Sequence, residues 1–102
     1  MKLLVITEPA EDDLEAITDY IAQDNPVAAE DVYLHIKGAA KSLPEHPSLG
    51  RSGRVPGTRE LSISDLPYLM VYAVDSEAVT ILAIFHTSRD LARVFRDRIS
   101  ES

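Results

Sequence analysis

Apolar positions along the chain follow a helical rhythm in the first half and an alternating or continuous one in the second. Before the helical part, Leu3, Leu4, Val5 and Ile6 are apolar in succession. Lys2–Thr7 therefore predicts a strand covered on both faces or flanked by a neighbour. Thr7, Pro9 and the acids Glu8, Glu11, Asp12 and Asp13 make a helix start. The hydroxyl caps, proline fits the first turn, and carboxylates suit the positive end of the helix dipole. Ala10, Leu14, Ile17 and Ile21 then draw one apolar stripe with Tyr20 at its edge, and the helix is expected to end near Asp24. Asn25-Pro26 restarts the pattern, Asn25 as cap and Pro26 at the first helical position. Ala29, Val32, Ile36, Ala39, Ala40 and Leu43 form the second stripe, which Leu43-Pro44 closes. Two such helices on so short a turn predict an antiparallel helical hairpin.

Pro44 to Gly53 reads as loop, with two prolines and two glycines. Arg59 to Ile63 alternates, as a strand with one wet face should. After a turn at Ser64–Pro67, Tyr68 to Val74 is apolar on both parities, which marks a central strand. Asp75–Glu77 turns the chain, and Val79 to Phe85 is again apolar on both faces. These three segments predict an antiparallel meander. Beyond His86, Ser88 is expected to cap a last helix with Leu91, Val94 and Phe95 on its apolar stripe. The expected fold is α+β in the order β-α-α-β-β-β-α, a helical hairpin packed on a small, mostly antiparallel sheet with a C-terminal helix. Residues 1–102 are read as a single domain.

Composition narrows the chemistry. Cysteine is absent, which excludes disulfides, thiolate metal sites and a cysteine nucleophile. The apolar run after Lys2 is too short for a signal peptide, and no stretch approaches the roughly 20 residues of a membrane span, so a cytoplasmic protein is expected. Net charge is −7 and unevenly placed: the first fifty residues hold ten acids against three lysines, the rest seven arginines against seven acids. Phosphate contacts need clustered cations, so the balance argues against non-specific binding of nucleic acid but leaves room for a local arginine surface.

The arginine-bearing stretch Gly50-Arg51-Ser52-Gly53-Arg54-Val55-Pro56-Gly57-Thr58-Arg59-Glu60-Leu61 resembles a phosphate cradle only superficially. It lacks the Gly-Lys-Ser/Thr ending and opens a strand instead of a helix. Its glycines are expected to bend the chain, its arginines to pair with the acidic hairpin, and Arg59 to make a structural salt bridge, leaving Arg54 the more exposed. His86 and Arg89, three residues apart at a strand end, offer a general acid or base beside an oxyanion-stabilising cation, or else a structural cap. His35 and His46 have no metal-ligand spacing, no cofactor or metal is expected, and the acids Glu11 to Glu15 are explained by the dipole.

Three quoted stretches carry a resemblance: AEDDLEAITDYIAQDNPVAAE, LPEHPSLGRSGRVPGTREL, and PYLMVYAV followed by VTILAIFHTSR. Together they resemble the ParE/RelE superfamily, the toxins of bacterial type II toxin–antitoxin modules, over about Ala10 to Arg89. The resemblance implies a cognate antitoxin in a hetero-oligomer, no membrane partner, and one of two activities. RelE-like members cut messenger RNA on the ribosome; ParE-like members poison DNA gyrase by binding. Ribonuclease members open the central strand with an arginine where this chain has Leu69, and carry a late tyrosine where this chain has none after Tyr72. The ParE-like branch is the better match, with target contacts expected from Arg51, Arg54, His86, Arg89 and Arg93. On the ribonuclease alternative, Arg54, Arg59, His86 and Arg89 are the catalytic candidates. A degenerate, non-toxic partner-binding module is a third reading.

Overall fold

The computed structural model describes residues 1–98. Strand β1 (Leu3–Ile6) leads into helix α1 (Glu8–Ala22) and helix α2 (Pro26–Ser42). Strands β2 (Arg51–Ser52), β3 (Arg59–Ser62), β4 (Tyr68–Val74) and β5 (Ala78–His86) follow, and helix α3 (Leu91–Arg98) ends the described chain. This is the predicted order with one addition: the two-residue β2 lies inside the segment expected to be loop. It exists because Arg51 and Ser52 pair antiparallel with Glu60 and Arg59, a long-range match that local pattern cannot signal.

Both caps of the hairpin form as the sequence predicts. Thr7 Oγ1 accepts from the Ala10 amide at 3.3 Å, and Asn25 Oδ1 accepts from the Ala28 amide at 3.1 Å. The N-terminal cap of α3 differs. Asp90 Oδ1 accepts from the Arg93 amide at 3.3 Å, whereas the Ser88 hydroxyl lies 2.6 Å from His86 Nδ1. A carboxylate at the helix dipole outcompetes a hydroxyl that already has an imidazole partner.

The strand order is β1-β5-β4-β3-β2, antiparallel except that β1 runs parallel to β5. The hairpin covers one sheet face, where Leu14, Ile36, Leu43, Met70, Tyr72, Val79 and Ile81 form the main core. On the opposite face Leu69, Val71, Ala83 and Phe85 pack with Phe95 of α3. Two-sided cover is why β4 is apolar at every position. The pairing of β4 with β5 slips between Val71 and Tyr72: Val71 faces Ala83, Tyr72 faces Ile81, and Leu82 is the extra residue of a bulge. The slip keeps Ile81 and Ile84 in the main core while Leu82 and Ala83 join the second.

One buried side chain ties the loop to the sheet. Tyr72, fully buried, accepts from the Gly50 amide at 2.9 Å and donates to the Pro47 carbonyl at 2.8 Å. A Cβ on Gly50 would sit 2.8 Å from that hydroxyl and 2.7 Å from the Glu60 carbonyl oxygen, so this close approach requires glycine. No helix among the described residues is long and apolar enough to cross a membrane.

Candidate functional site

The sequence candidates separate into two clusters. The first is built on Glu60, which alternation puts on the α3 side of β3 and which is 3% exposed. Arg54 donates to it three times, from its amide to Oε2 at 2.8 Å, from Nε to Oε2 at 3.1 Å and from Nη2 to Oε1 at 3.2 Å. Arg51 adds a longer contact of 3.5 Å. Burial alone would push the Glu60 carboxyl up, but the Arg54 side chain and amide, helped by Arg51, outweigh it and hold it below the ordinary value. The Arg54 guanidinium also stacks 4.6 Å from the centre of the Phe95 ring, so it braces α3.

These contacts correct the expected pairings. Among the described residues Arg59 makes no salt bridge: it donates to the Gly50 carbonyl from Nε and Nη2, at 3.0 and 2.7 Å, and to the Ser48 carbonyl at 3.2 Å. Its partners are the carbonyls that the loop presents when β2 pairs with β3, not an acid. Nor do Arg51 and Arg54 pair with the acidic hairpin, since Glu60, adjacent across the β2–β3 ladder, is nearer. Arg54 is part-exposed as expected, yet it is pinned. Arg51 is the more open of the two.

The second cluster lies where β5 ends. His86 and Arg89 share a cleft of about 520 Å³ between α1 and α3. From α1 it is lined by Asp13, Ala16, Ile17 and Tyr20, the spacing of one helix face. Val94 and Arg98, four apart on α3, form the opposite wall, with Ile84, Phe85 and His86 between. His86 Nδ1 accepts from the Ser88 amide at 3.0 Å, which places the ring proton on Nε2. Its ring meets Tyr68 edge-on at 5.3 Å between centroids. Burial, with a smaller contribution from Tyr20, raises the Tyr68 hydroxyl above its ordinary value, so it stays protonated and able to donate.

Asp13 closes the deep end. Both its oxygens accept from Arg98, at 3.1 and 2.9 Å, and Oδ2 also accepts from the Ile84 amide at 2.9 Å. The helix dipole accounts for Asp13 from local sequence, but its partners lie 71 and 85 residues away, beyond any local signal. Tyr20, Tyr68 and Arg98, which also line the cleft, likewise carry no local motif of a site. The helix-face spacing of Asp13, Ala16, Ile17 and Tyr20 was the one readable clue. Arg93 stands outside this cleft, on the outer side of α3 with Asp97 at 3.8 Å. Among the described residues no three His, Asp or Glu side chains converge as a metal would need. The arrangement can accept an apolar group, donate hydrogen bonds from Tyr68 and His86, and offer the Arg89 charge at its rim.

Known proteins share this architecture. A family model described as the ParE toxin of the type II toxin–antitoxin system, parDE, matches residues 4–91. The Y4kP protein of Sinorhizobium fredii (strain NBRC 101917 / NGR234) is 40% identical over 81 residues, covering 79% of this chain and 83% of the relative. Toxin RelE2 of Caulobacter vibrioides is 42% identical over 89 residues, 87% of this chain and 99% of that one. A chain of the chromosomal ParDE toxin–antitoxin system from P. aeruginosa superposes with a TM-score of 0.79 at 29% identity, covering 84% of this chain and 96% of its own length. The YoeB dimer of Staphylococcus aureus shares the fold, with a TM-score of 0.55 at 17% identity over 80% of this chain and 92% of that one. With the family model spanning all but three residues at the start and eleven at the end, the chain belongs to the ParE toxin family of type II toxin–antitoxin systems.

Proposed function

We propose that this toxin acts by binding, with DNA gyrase as its target, and is neutralised by a cognate antitoxin in a toxin–antitoxin hetero-oligomer in the cytoplasm. The observation that carries the reading is how the arginines are engaged. Cleaving RNA needs cations free to meet a phosphorane's developing charge. Arg54 is held by Glu60 and Phe95, Arg59 by loop carbonyls, and Leu69 is buried under α3. Within the cleft, Arg98 is paired with Asp13. That leaves His86 and Arg89 beside apolar walls, a surface suited to recognition, with Arg93 and Arg51 as exposed outlying cations.

Induced expression in a bacterium tests this. Filamentation with DNA-damage signalling, together with loss of gyrase supercoiling by the purified protein, is the expected result. Prompt translation arrest with cut messages would instead establish the ribosome-dependent endonuclease. That second reading is favoured by the shared cleft of His86 and Arg89 and by the relative named RelE2. Normal growth would overturn both and support a degenerate partner-binding module.

A further inference from the structure

Helix α2 is apolar on two sides. Ala29, Ile36 and Ala40 are its buried side, turned to the rest of the chain. At about 100° per residue, positions 27, 31, 34, 38 and 41 fall within about 40° of the opposite pole. They hold Val27, Asp31, Leu34, Gly38 and Lys41, and all are exposed. Their spacing of four, three, four and three is that of a stripe through which one helix contacts another.

Gly38 sharpens the point. It is helical and interior to α2, where glycine weakens a helix relative to alanine. Its own chain supplies no reason for that weakness, since a Cβ built there would meet nothing within 4 Å. Beside it lies a hollow of about 330 Å³ whose lining includes His35, Gly38, Leu49 and Leu61. Leu49, like Leu34, is exposed. The absent side chain leaves a seat for an apolar group from outside the chain.

Charge selects the occupant and its direction. Among the described residues neither Asp31 nor Lys41 has an ion-pair partner. Ten residues apart, about 15 Å along the axis, they cannot reach each other. The chain carries a net charge of −7, yet this stripe holds one acid and one lysine, so two copies can meet here with little repulsion. Two α2 helices running parallel would set Asp31 against Asp31 and Lys41 against Lys41. Running antiparallel, the register that seats Leu34 on the other copy's Gly38 also sets Asp31 opposite the other copy's Lys41, because both pairs are centred on position 36.

We propose that α2 is a self-association surface, on which two copies of this chain pair antiparallel about a two-fold axis at the level of position 36. Each Leu34 packs on the other copy's Gly38, and each Asp31 pairs with the other copy's Lys41. None of these residues lines the cleft of His86 and Arg89, so the pairing does not use that cleft and does not depend on the toxin's target.

Sedimentation equilibrium of the purified full chain, from about 1 to about 300 µM, tests this. The mass should rise from 11.3 kDa towards twice that value. Gly38→Gln should weaken the dimer about tenfold or more. The thermal midpoint of that variant, read at monomeric dilution, should hold or rise, because a better helix former enters open space. Asp31→Lys and Lys41→Glu should each weaken pairing about five- to tenfold, since each alters two reciprocal contacts. The double swap should recover it, with helix content retained by circular dichroism throughout. Residues too far apart to meet within one copy can rescue each other only across the interface. A mass that stays at 11.3 kDa would overturn the proposal. So would a dimer indifferent to Gly38→Gln, or single swaps that the double swap does not rescue. A lowered midpoint for Gly38→Gln would assign Gly38 to the fold of the single chain and overturn it as well.

Discussion

At the residue scale, two buried polar side chains carry constraints that their sequence neighbourhoods conceal. Tyr72 sits in a run of apolar strand residues, and its hydroxyl joins the Pro47 carbonyl to the Gly50 amide. Tyr72→Phe should leave both groups without a partner and cost about 1–3 kcal/mol, read as a lower urea midpoint at unchanged slope. A loss below about 0.5 kcal/mol would mean that water replaces the hydroxyl. Glu60 gives a pH signature. Its folded carboxyl lies below the ordinary value of 4.5, so its contribution is complete above that value and is lost as pH falls through the lower folded one. Glu60→Gln should therefore be less stable than the parent at neutral pH, and the gap should narrow below 4.5. Melting curves across pH check this; a gap constant with pH would remove the carboxylate's role. The sequence showed Glu60 as the polar member of an alternating strand, and only the pairing of β2 with β3 brings Arg51 and Arg54 to it.

At the element scale, α3 docks on the sheet through a small set of side chains. Phe95 is its one buried residue among those described, packed on Phe85 at 5.3 Å and beneath Arg54. The Arg98–Asp13 pair is part-exposed and adds a smaller amount, discounted for solvent screening to about 1 kcal/mol. Phe95→Ala should cost about 3–5 kcal/mol of docking. Without Phe95, α3 is held by the part-buried Leu91 and Val94 and by the Arg98–Asp13 pair, so loss should be local first. Hydrogen exchange should show α3 amides becoming unprotected while β4 and β5 stay slow. Uniform acceleration across the sheet would show that α3 is part of the global folding unit. The sequence located this helix from its apolar stripe but misplaced its cap, because the choice between Ser88 and Asp90 turned on the His86 ring.

At the scale of the whole molecule, local sequence determined the elements. Both hairpin helices, their caps, the central strand and the β-α-α-β-β-β-α order follow from periodicity, proline placement and alternation, which act over a few residues. The family resemblance was also legible, because the order of those elements and the stretch from Gly50 to Leu61 survive as contiguous text. What tertiary structure decided is every partnership between distant residues. It placed β1 parallel beside β5 and created β2. It introduced the bulge at Leu82, gave Arg54 to Glu60 and Arg59 to carbonyls, and brought Asp13, Ile84 and Arg98 together at one end of the sheet. The physical reason is range. Capping and amphipathic patterning are intrinsic to a short segment, whereas an ion pair or a free strand edge exists only once the sheet order fixes which residues are neighbours.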